Sequence, residues 1–185
     1  TYANRSLSEE DQIMVASPDG RFRFVSSGQA QTLAGFAAGS GITPVMSILK
    51  TALLDHPENR FHLVYGNKTP EDTMFYQELK DLENTFNGRL SIQWVFSRAN
   101  VEGSLFGRVE ANVIKSALKH LEGSADKFYL CGPESMIETA SDILYSNGVE
   151  KDAVLFELFS TSTNTVSIEG KAEGVSLEIT YDELT

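Results

Sequence analysis

A short segment with two glycines holds the residues best suited to ligand chemistry in this chain. Gly39 and Gly41 permit a sharp turn and let the backbone lie close to a ligand. Thr43 suits the N-cap of a helix, and Pro44 suits its first helical position. A helix that begins just past a strand points free N–H groups and a positive dipole end at the crevice there. The segment therefore predicts a binding site for a diphosphate.

The same segment leaves other interpretations open. Its spacing, G-x-G-x-x-P, lacks the third glycine of the dinucleotide fingerprint, and no lysine follows as in a Walker loop. These residues could therefore form an ordinary tight turn. Ser40 lies between the glycines and could be a hydrolase nucleophile. However, A-G-S-G-I differs from G-x-S-x-G, and no Asp/His pair follows in the usual order.

Strand and helix patterns alternate along the middle of the chain. Such alternation requires right-handed crossovers and a parallel sheet that is covered on both faces. We predict an α/β fold with a Rossmann-like, parallel five-stranded sheet and helices on both faces. The strands are predicted at 32–38, 61–65, 90–96, 127–131 and 153–158, and the helices at 44–54, 71–86, 109–121 and 133–146.

The loops after the predicted strands carry most of the unusual residues of the chain. Ligands of parallel sheets bind beyond the carboxyl ends of the strands, where the strand order reverses. Chemically distinctive turns therefore fall where this fold places a ligand. The loops are 39–43, 66–69, 97–100, 107–108 and 131–134.

The two ends of the chain differ from its middle. Residues 1–27 read as a strand at 11–15, a turn and a second strand, with no helical pattern to cover them. Residues 160–165 form a polar linker, and 166–185 read as a β-hairpin. Two strands alone are marginal in water. We interpret both ends as β fragments of neighbouring domains, around a nucleotide-binding domain at 28–159, and Thr1 as a cut inside a longer protein.

Composition excludes several functional classes. The formal charge of −11 disfavours nucleic acid, and the longest apolar stretches are strand-sized, so we expect no membrane span. One cysteine excludes an internal disulfide and a cysteine-rich metal cage. Three scattered histidines have no metal-binding spacing, and we expect no metal. A reducing cytoplasm suits this cysteine usage.

Several motifs in a specific order resemble the ferredoxin–NADP reductase superfamily over roughly residues 10–159. The closest resemblance is to multi-domain reductases with a C-terminal plant-type ferredoxin domain, of the phenylacetyl-CoA epoxidase reductase type. The motifs are P-D-G-R-F at 18–22, A-A-G-S-G-I-T-P at 37–44, Y-G-N-K-T at 65–69, S-R at 97–98 with G-R at 107–108, and C-G-P-E at 131–134.

This resemblance implies a function and a division of labour. The α/β domain would bind NADPH or NADH and deliver hydride to FAD on a β-barrel. Electrons would then pass through a two-iron two-sulfur cluster to an acceptor or an oxygenase. The flavin-binding motif and the cluster cysteines are absent here, so FAD and the cluster are expected only in the full-length protein, in flavin and ferredoxin domains of the same chain. We expect this piece to bind nucleotide without turnover. The alternative is a non-catalytic nucleotide-binding or interaction module.

The resemblance also implies residue roles. Thr43 would reach the nicotinamide ribose or carboxamide, Cys131 would pack by the nicotinamide C4 edge, and Phe159 would cover a ring, which makes these three the expected catalytic residues. The Cys131 thiol, near a helix N-terminus, could have a lowered pKa; its alternative role is that of a small buried hydrophobe. The expected coenzyme-binding residues are Gly39, Ser40, Gly41, Thr43, Pro44, Tyr65, Gly66, Asn67, Ser97, Arg98, Arg108, Cys131, Gly132, Pro133 and Met136, with Glu134 close by.

A serine and an arginine after the third predicted strand bear on the choice of coenzyme. A hydroxyl beside a guanidinium suits a 2′-phosphate, because arginine forms charge-assisted paired hydrogen bonds. No acidic residue stands at Ser97 or Arg98 to bind an unphosphorylated ribose. The pair favours NADPH over NADH, although Arg98 could equally be a solvated surface residue and Arg108 could simply cap a turn.

Overall fold

A six-stranded parallel β-sheet forms the centre of the molecule, with strand order β4-β3-β2-β1-β5-β6. The computed structural model describes residues 5–15, 20–121 and 125–159. The strands are β1 (Thr32–Ala38), β2 (Arg60–Asn67), β3 (Leu90–Phe96), β4 (Leu105–Phe106), β5 (Lys127–Cys131) and β6 (Val154–Glu157). The helices are α1 (Ile42–Asp55), α2 (Tyr76–Thr85), α3 (Ala111–His120) and α4 (Glu134–Ser146), with 3₁₀ turns at Gly39–Gly41 and Lys151–Ala153.

Helices cover both faces of the sheet, as the alternating pattern predicted. On β1, Leu33 and Ala37 point to one face and pack with α1 and with Leu79 of α2. Phe36, on the opposite face, packs with α3 and α4. Because both faces are buried, the central strands are continuous apolar runs rather than alternating ones. Within the described residues, no helix has the length and apolarity needed to cross a membrane.

The predicted number of strands was wrong by one. Leu105–Phe106 pairs with Val95 and Phe96 at the edge of the sheet. A two-residue strand is too short to show a period of two in the sequence, which is why the pattern missed it. Strands β1, β3 and β5 have the predicted bounds, and β2 and β6 differ from theirs by one or two residues at their ends.

The second predicted helix begins later than its sequence pattern indicated. It was expected from residue 71 but starts at Tyr76, after two turns. The Thr73 hydroxyl donates to the Thr69 carbonyl at 2.7 Å, and the Asp72 N–H donates to the Thr69 hydroxyl at 3.3 Å. Hydroxyl side chains that bond to nearby backbone in this way compete with helix formation. Phe75, the residue before the helix, has a left-handed backbone conformation with φ of 58°.

The amino-terminal segment does not form the expected strands. Residues 11–15 and 20–27 have no strand structure, because no neighbouring strand pairs with them among the described residues. Met14 is fully exposed, whereas Phe22 packs edge-on against Tyr129 with ring centres 5.7 Å apart. The assignment of 1–27 to a neighbouring barrel stays a prediction. The expected linker at 160–165 and hairpin at 166–185 lie outside the described residues.

Asn59 ties the end of α1 to the start of β1. Its side chain is fully buried; Oδ1 accepts the Gln31 N–H at 2.7 Å, and Nδ2 donates to the Ala52 carbonyl at 2.8 Å. The Gln31 N–H and the Ala52 carbonyl are both buried, so water cannot replace the Asn59 amide as their partner. Removing the amide therefore leaves both groups unpaired in the interior.

We expect Asn59→Ala to lower the free energy of unfolding by about 2–4 kcal/mol, since each buried group left unpaired costs about 1–3 kcal/mol. Asn147→Ala is the matched control, because its exposed amide makes one hydrogen bond, to the Ile143 carbonyl. The control should lose less than about 1 kcal/mol. Urea denaturation of both variants measures the difference, and equal losses would contradict the role assigned to Asn59.

Candidate functional site

The strand order reverses beside β1, and this reversal creates a crevice at one edge of the sheet. The chain runs from β1 to β2 and β3 on one side and then crosses to β5 on the other side of β1. The turn Gly39–Gly41 follows β1, and Gly132 follows β5. Ligands of open parallel sheets bind at such a switch point. The predicted glycine segment therefore lies where the topology offers a site.

The glycines of this turn meet two different requirements. A Cβ on Gly41 would lie 2.1 Å from the Cys131 carbonyl oxygen, so no side chain fits between the turn and the end of β5. Gly39 has φ of 54°, a conformation that glycine adopts without strain, and nothing lies within 4 Å of where its Cβ would be. The turn thus packs tightly against β5 on one side and is open on the other.

Two hydroxyl groups hold the carbonyls of the turn. Tyr65 donates to the Gly39 carbonyl at 3.0 Å, and Thr43 donates to the Ser40 carbonyl at 3.0 Å. The prediction that Thr43 is the N-cap was wrong: Gly41 occupies that position, and Thr43 is the second residue of α1. The reason is that the 3₁₀ turn runs directly into the helix and the Thr43 hydroxyl bonds backward to a carbonyl.

The start of α1 consequently has no side-chain cap. Pro44, expected at the first helical position, is the third residue, where its missing N–H is also harmless. The N–H groups of a first helical turn lack intrahelical partners and attract anions. No side chain of the described residues bonds to the cap, but the Ile42 N–H donates to the Gly39 and Ser40 carbonyls and Pro44 has no N–H. An anion would therefore meet the positive dipole end of α1 and the open backbone of the turn.

A cleft of about 480 Å³ lies on one side of the turn. It is bounded by the ends of β1, β2 and β3 and by the starts of α3 and α4. Lys68 and Arg108 give it positive charge, and Glu110 contributes one carboxylate. The lining comprises Ala38, Gly66, Asn67, Lys68, Ser97, Gly107, Arg108, Val109, Glu110, Pro133, Ser135, Met136 and Thr139.

Asn67, at the end of β2, has a buried side-chain amide near Tyr65. Its Nδ2 atom is buried and makes no hydrogen bond to the described part of the chain. A buried amide without a partner is unfavourable by about 1–3 kcal/mol. Since this amide is shielded from the cleft, the donors that fit the phosphates and ribose of a nicotinamide coenzyme are the lining cations Lys68 and Arg108.

A second cavity, of about 450 Å³, is lined by the glycine turn itself. It shares Ala38 and Pro133 with the cleft, so the two are parts of one crevice that crosses the glycine turn. Its lining comprises Ala38, Gly39, Ser40, Gly41, Gly132, Pro133, Glu134 and Phe159. A crevice with two adjoining compartments beside a glycine turn offers room for the two halves of a dinucleotide.

Most of the predicted site residues line this crevice. The cleft contains Gly66, Asn67, Ser97, Arg108, Pro133 and Met136, and the second cavity contains Gly39, Ser40, Gly41, Gly132, Pro133 and Phe159. Five predicted residues line neither compartment, namely Thr43, Pro44, Tyr65, Arg98 and Cys131. The sequence patterns indicated no role for Lys68, Val109, Ser135 or Thr139, although Lys68 lies in one of the predicted ligand loops.

Cys131 is fully buried and belongs to the core. Burial, with a smaller contribution from the Glu157 carboxylate, raises the pKa of the Cys131 thiol to about 11. The expected lowering of this pKa by the helix N-terminus was therefore wrong, because desolvation favours the neutral thiol. The side chain is not in a state to act as a nucleophile.

Arg98 differs from the other cations near the cleft. It is exposed, and its backbone N–H donates to the Lys68 carbonyl at 2.8 Å. The neighbouring Ser97 hydroxyl donates to the Asn67 carbonyl at 3.4 Å. These contacts fix the backbone at the ends of β2 and β3, while the Arg98 guanidinium lies outside the residues that line the cleft.

Comparison with known proteins places this chain in a family. The model of the oxidoreductase NAD-binding domain family matches residues 36–142. One subunit of the 1,2-phenylacetyl-CoA epoxidase of Escherichia coli K12 is 30% identical over 187 residues, which cover 98% of this chain and 52% of that protein. The reductase component of propane 2-monooxygenase from Rhodococcus jostii RHA1 is 26% identical over 167 residues, covering 84% and 42%.

A solved structure agrees. The CS-b5R domains of human Ncb5or in the NAD⁺ form superpose with a TM-score of 0.67 at 26% identity, covering 76% of this chain and 40% of that one. The chain spans about half the length of the curated relatives it matches. With motifs, fold and crevice in agreement, the chain belongs to the oxidoreductase NAD-binding domain family of ferredoxin–NADP reductase type.

Proposed function

We propose that this chain is the coenzyme-binding part of a flavoprotein reductase that passes hydride from NAD(P)H to FAD. One observation carries the proposal: a two-compartment crevice adjoins a turn in which Gly41 has no room for a side chain, and the helix behind the turn has no side-chain cap. A diphosphate at that turn places one nucleotide in each compartment. When bound, the coenzyme supplies the hydride, and the protein supplies position and local field.

The residues assign a direction to the bound dinucleotide. Lys68 and Arg108 in the larger cleft suit the phosphate-rich adenosine end. The second cavity, with Phe159, suits the nicotinamide ring. In this arrangement the Phe159 side chain faces the nicotinamide ring. Cys131 contributes through its backbone carbonyl, which packs against Gly41 of the turn. Thr43 keeps its hydroxyl on the Ser40 carbonyl and steadies the turn.

We propose NADPH as the preferred coenzyme. Two cations, Lys68 and Arg108, line the large cleft together with one carboxylate, that of Glu110. Arg98 is exposed, and its backbone N–H donates to the Lys68 carbonyl. A 2′-phosphate would gain charge-assisted hydrogen bonds there that an unphosphorylated ribose would not. The overall charge of −11 opposes an anionic ligand, so these local groups must supply the attraction.

We expect Arg108→Ala to weaken NADPH binding by about tenfold, the equivalent of one charge-assisted hydrogen bond, and NADH binding by less. Isothermal titration of the 185-residue chain with both coenzymes measures this. Arg60→Ala is the matched control, because Arg60 lines a cavity with Thr32, at the opposite end of the sheet. Equal weakening for the two coenzymes would contradict a 2′-phosphate role. Arg98→Ala, titrated in parallel, tests the second guanidinium by the same criterion.

We expect Gly41→Ala to abolish measurable coenzyme binding. The added methyl group overlaps the Cys131 carbonyl, so the turn must move away from β5 and the N–H groups lose their arrangement. Ser47→Ala is the control, because Ser47 is exposed on α1 and lines neither compartment of the crevice. The control should bind within about twofold of wild type. Unchanged affinity in Gly41→Ala would show that the turn does not contact the coenzyme.

Labelling of Ser40 by a phosphonate probe would support the hydrolase alternative instead.

The remainder of the proposed reaction belongs to the complete protein. The two relatives named above are an epoxidase subunit and a monooxygenase reductase component. We therefore propose a flavin domain and a ferredoxin domain as partners, with an oxygenase as electron acceptor. This chain has one cysteine, so the four thiolates of a two-iron two-sulfur cluster would come from elsewhere in the protein. We also propose a cytoplasmic location, which suits that cysteine usage.

A further inference from the structure

Tyr65 is buried beneath the glycine turn and contacts the backbone on two sides. No part of its side chain is exposed. Its hydroxyl oxygen lies 3.0 Å from the Gly39 carbonyl and 3.4 Å from the Met74 carbonyl. The family resemblance implied that Tyr65 lies along the coenzyme, whereas the structure has its hydroxyl behind the turn, on the Gly39 carbonyl.

The ring of Tyr65 is held by neighbouring aromatic side chains. Trp94 lies 6.0 Å from it between ring centres, and Trp94 in turn packs against Tyr76 at 4.7 Å and Phe96 at 6.3 Å. Burial raises the pKa of Tyr65 to about 12, so the hydroxyl keeps its proton at physiological pH. The group is therefore a fixed donor.

A phenol has one proton, so Tyr65 donates to one of the two carbonyls at a time. The Gly39 carbonyl is the nearer acceptor, and it also accepts the Ile42 N–H. A carbonyl oxygen that turned toward the crevice would repel a diphosphate. With both donors behind it, the Gly39 carbonyl stays on the protein side of the turn.

We propose that Tyr65 is a positioning residue for the coenzyme diphosphate, which it serves by holding the Gly39 carbonyl away from the crevice. This inference rests on the proposed function. Tyr65 itself touches no part of the coenzyme and acts only through the backbone of the turn. Its removal should therefore affect ligands that carry a diphosphate and spare those that occupy only the adenosine compartment.

Tyr65→Phe tests the inference, with Tyr129→Phe as the matched control. Tyr129 is also buried, has its pKa raised to about 12 by burial, and belongs to the same core cluster. Its hydroxyl makes no hydrogen bond within the part of the chain that the structure describes. Both variants of the 185-residue chain are titrated calorimetrically with NADPH and with adenosine 2′-monophosphate, and amide exchange at Gly39–Gly41 is followed by NMR.

We expect Tyr65→Phe to bind NADPH about three- to tenfold more weakly, the range of one net hydrogen bond, with adenosine 2′-monophosphate unchanged and faster exchange in the turn. The control should change none of these. If Tyr65→Phe bound both ligands equally more weakly, or bound neither more weakly, the inference would be overturned. The proposed function would still stand as long as the wild-type chain binds NADPH. Absence of NADPH binding by folded wild type would overturn both.

A measurement on the unsubstituted chain covers the case in which Tyr65→Phe does not fold. The Tyr65 hydroxyl is buried and hydrogen-bonded, so its proton is protected from exchange and is followed by NMR. Saturation with NADPH should shift the Tyr65 hydroxyl proton, and adenosine 2′-monophosphate should leave it in place. A Tyr65 resonance that NADPH does not move would overturn the inference.

Discussion

The close packing of Gly41 against the Cys131 carbonyl is the contact on which the site depends. It brings the ends of β1 and β5 together with no intervening side chain, and this fixes the position of the crevice. Because the strand order reverses between these strands, no crossover helix covers their ends. A helix starts on each side of that opening, so two positive dipole ends face the same space.

Electrostatics in this protein are local rather than global. A chain with a charge of −11 repels an anionic coenzyme at long range. Binding must then come from groups within a few ångströms: the positive dipole end of α1 and the cations Lys68 and Arg108. Salt screens the attraction between such groups and the ligand less when the ligand displaces water from the crevice. The arrangement favours selective binding over non-specific attraction of anions.

The sequence predicted the central sheet well because buried parallel strands leave long apolar runs. Three strands have their predicted bounds, and the predicted loops line the crevice. The errors arose where backbone geometry depends on contacts distant in sequence. The pattern gave Thr43 a capping role, yet its hydroxyl bonds to Ser40 in a 3₁₀ turn. It gave Cys131 a lowered pKa, but burial beneath the turn raises it. Tyr65 lies behind the turn because β1 pairs with β2, and the local sequence around Tyr65 does not show this pairing.

The most direct test of coenzyme binding at the glycine turn is an NMR titration of the 185-residue chain with NADPH, read at individual backbone amides. We predict the largest shift changes at Gly39–Gly41 and Ile42, followed by Asn67 and by Glu134 at the start of α4. Saturable binding whose largest shifts fall at the opposite end of the sheet, around His62 and His120, would contradict the central claim.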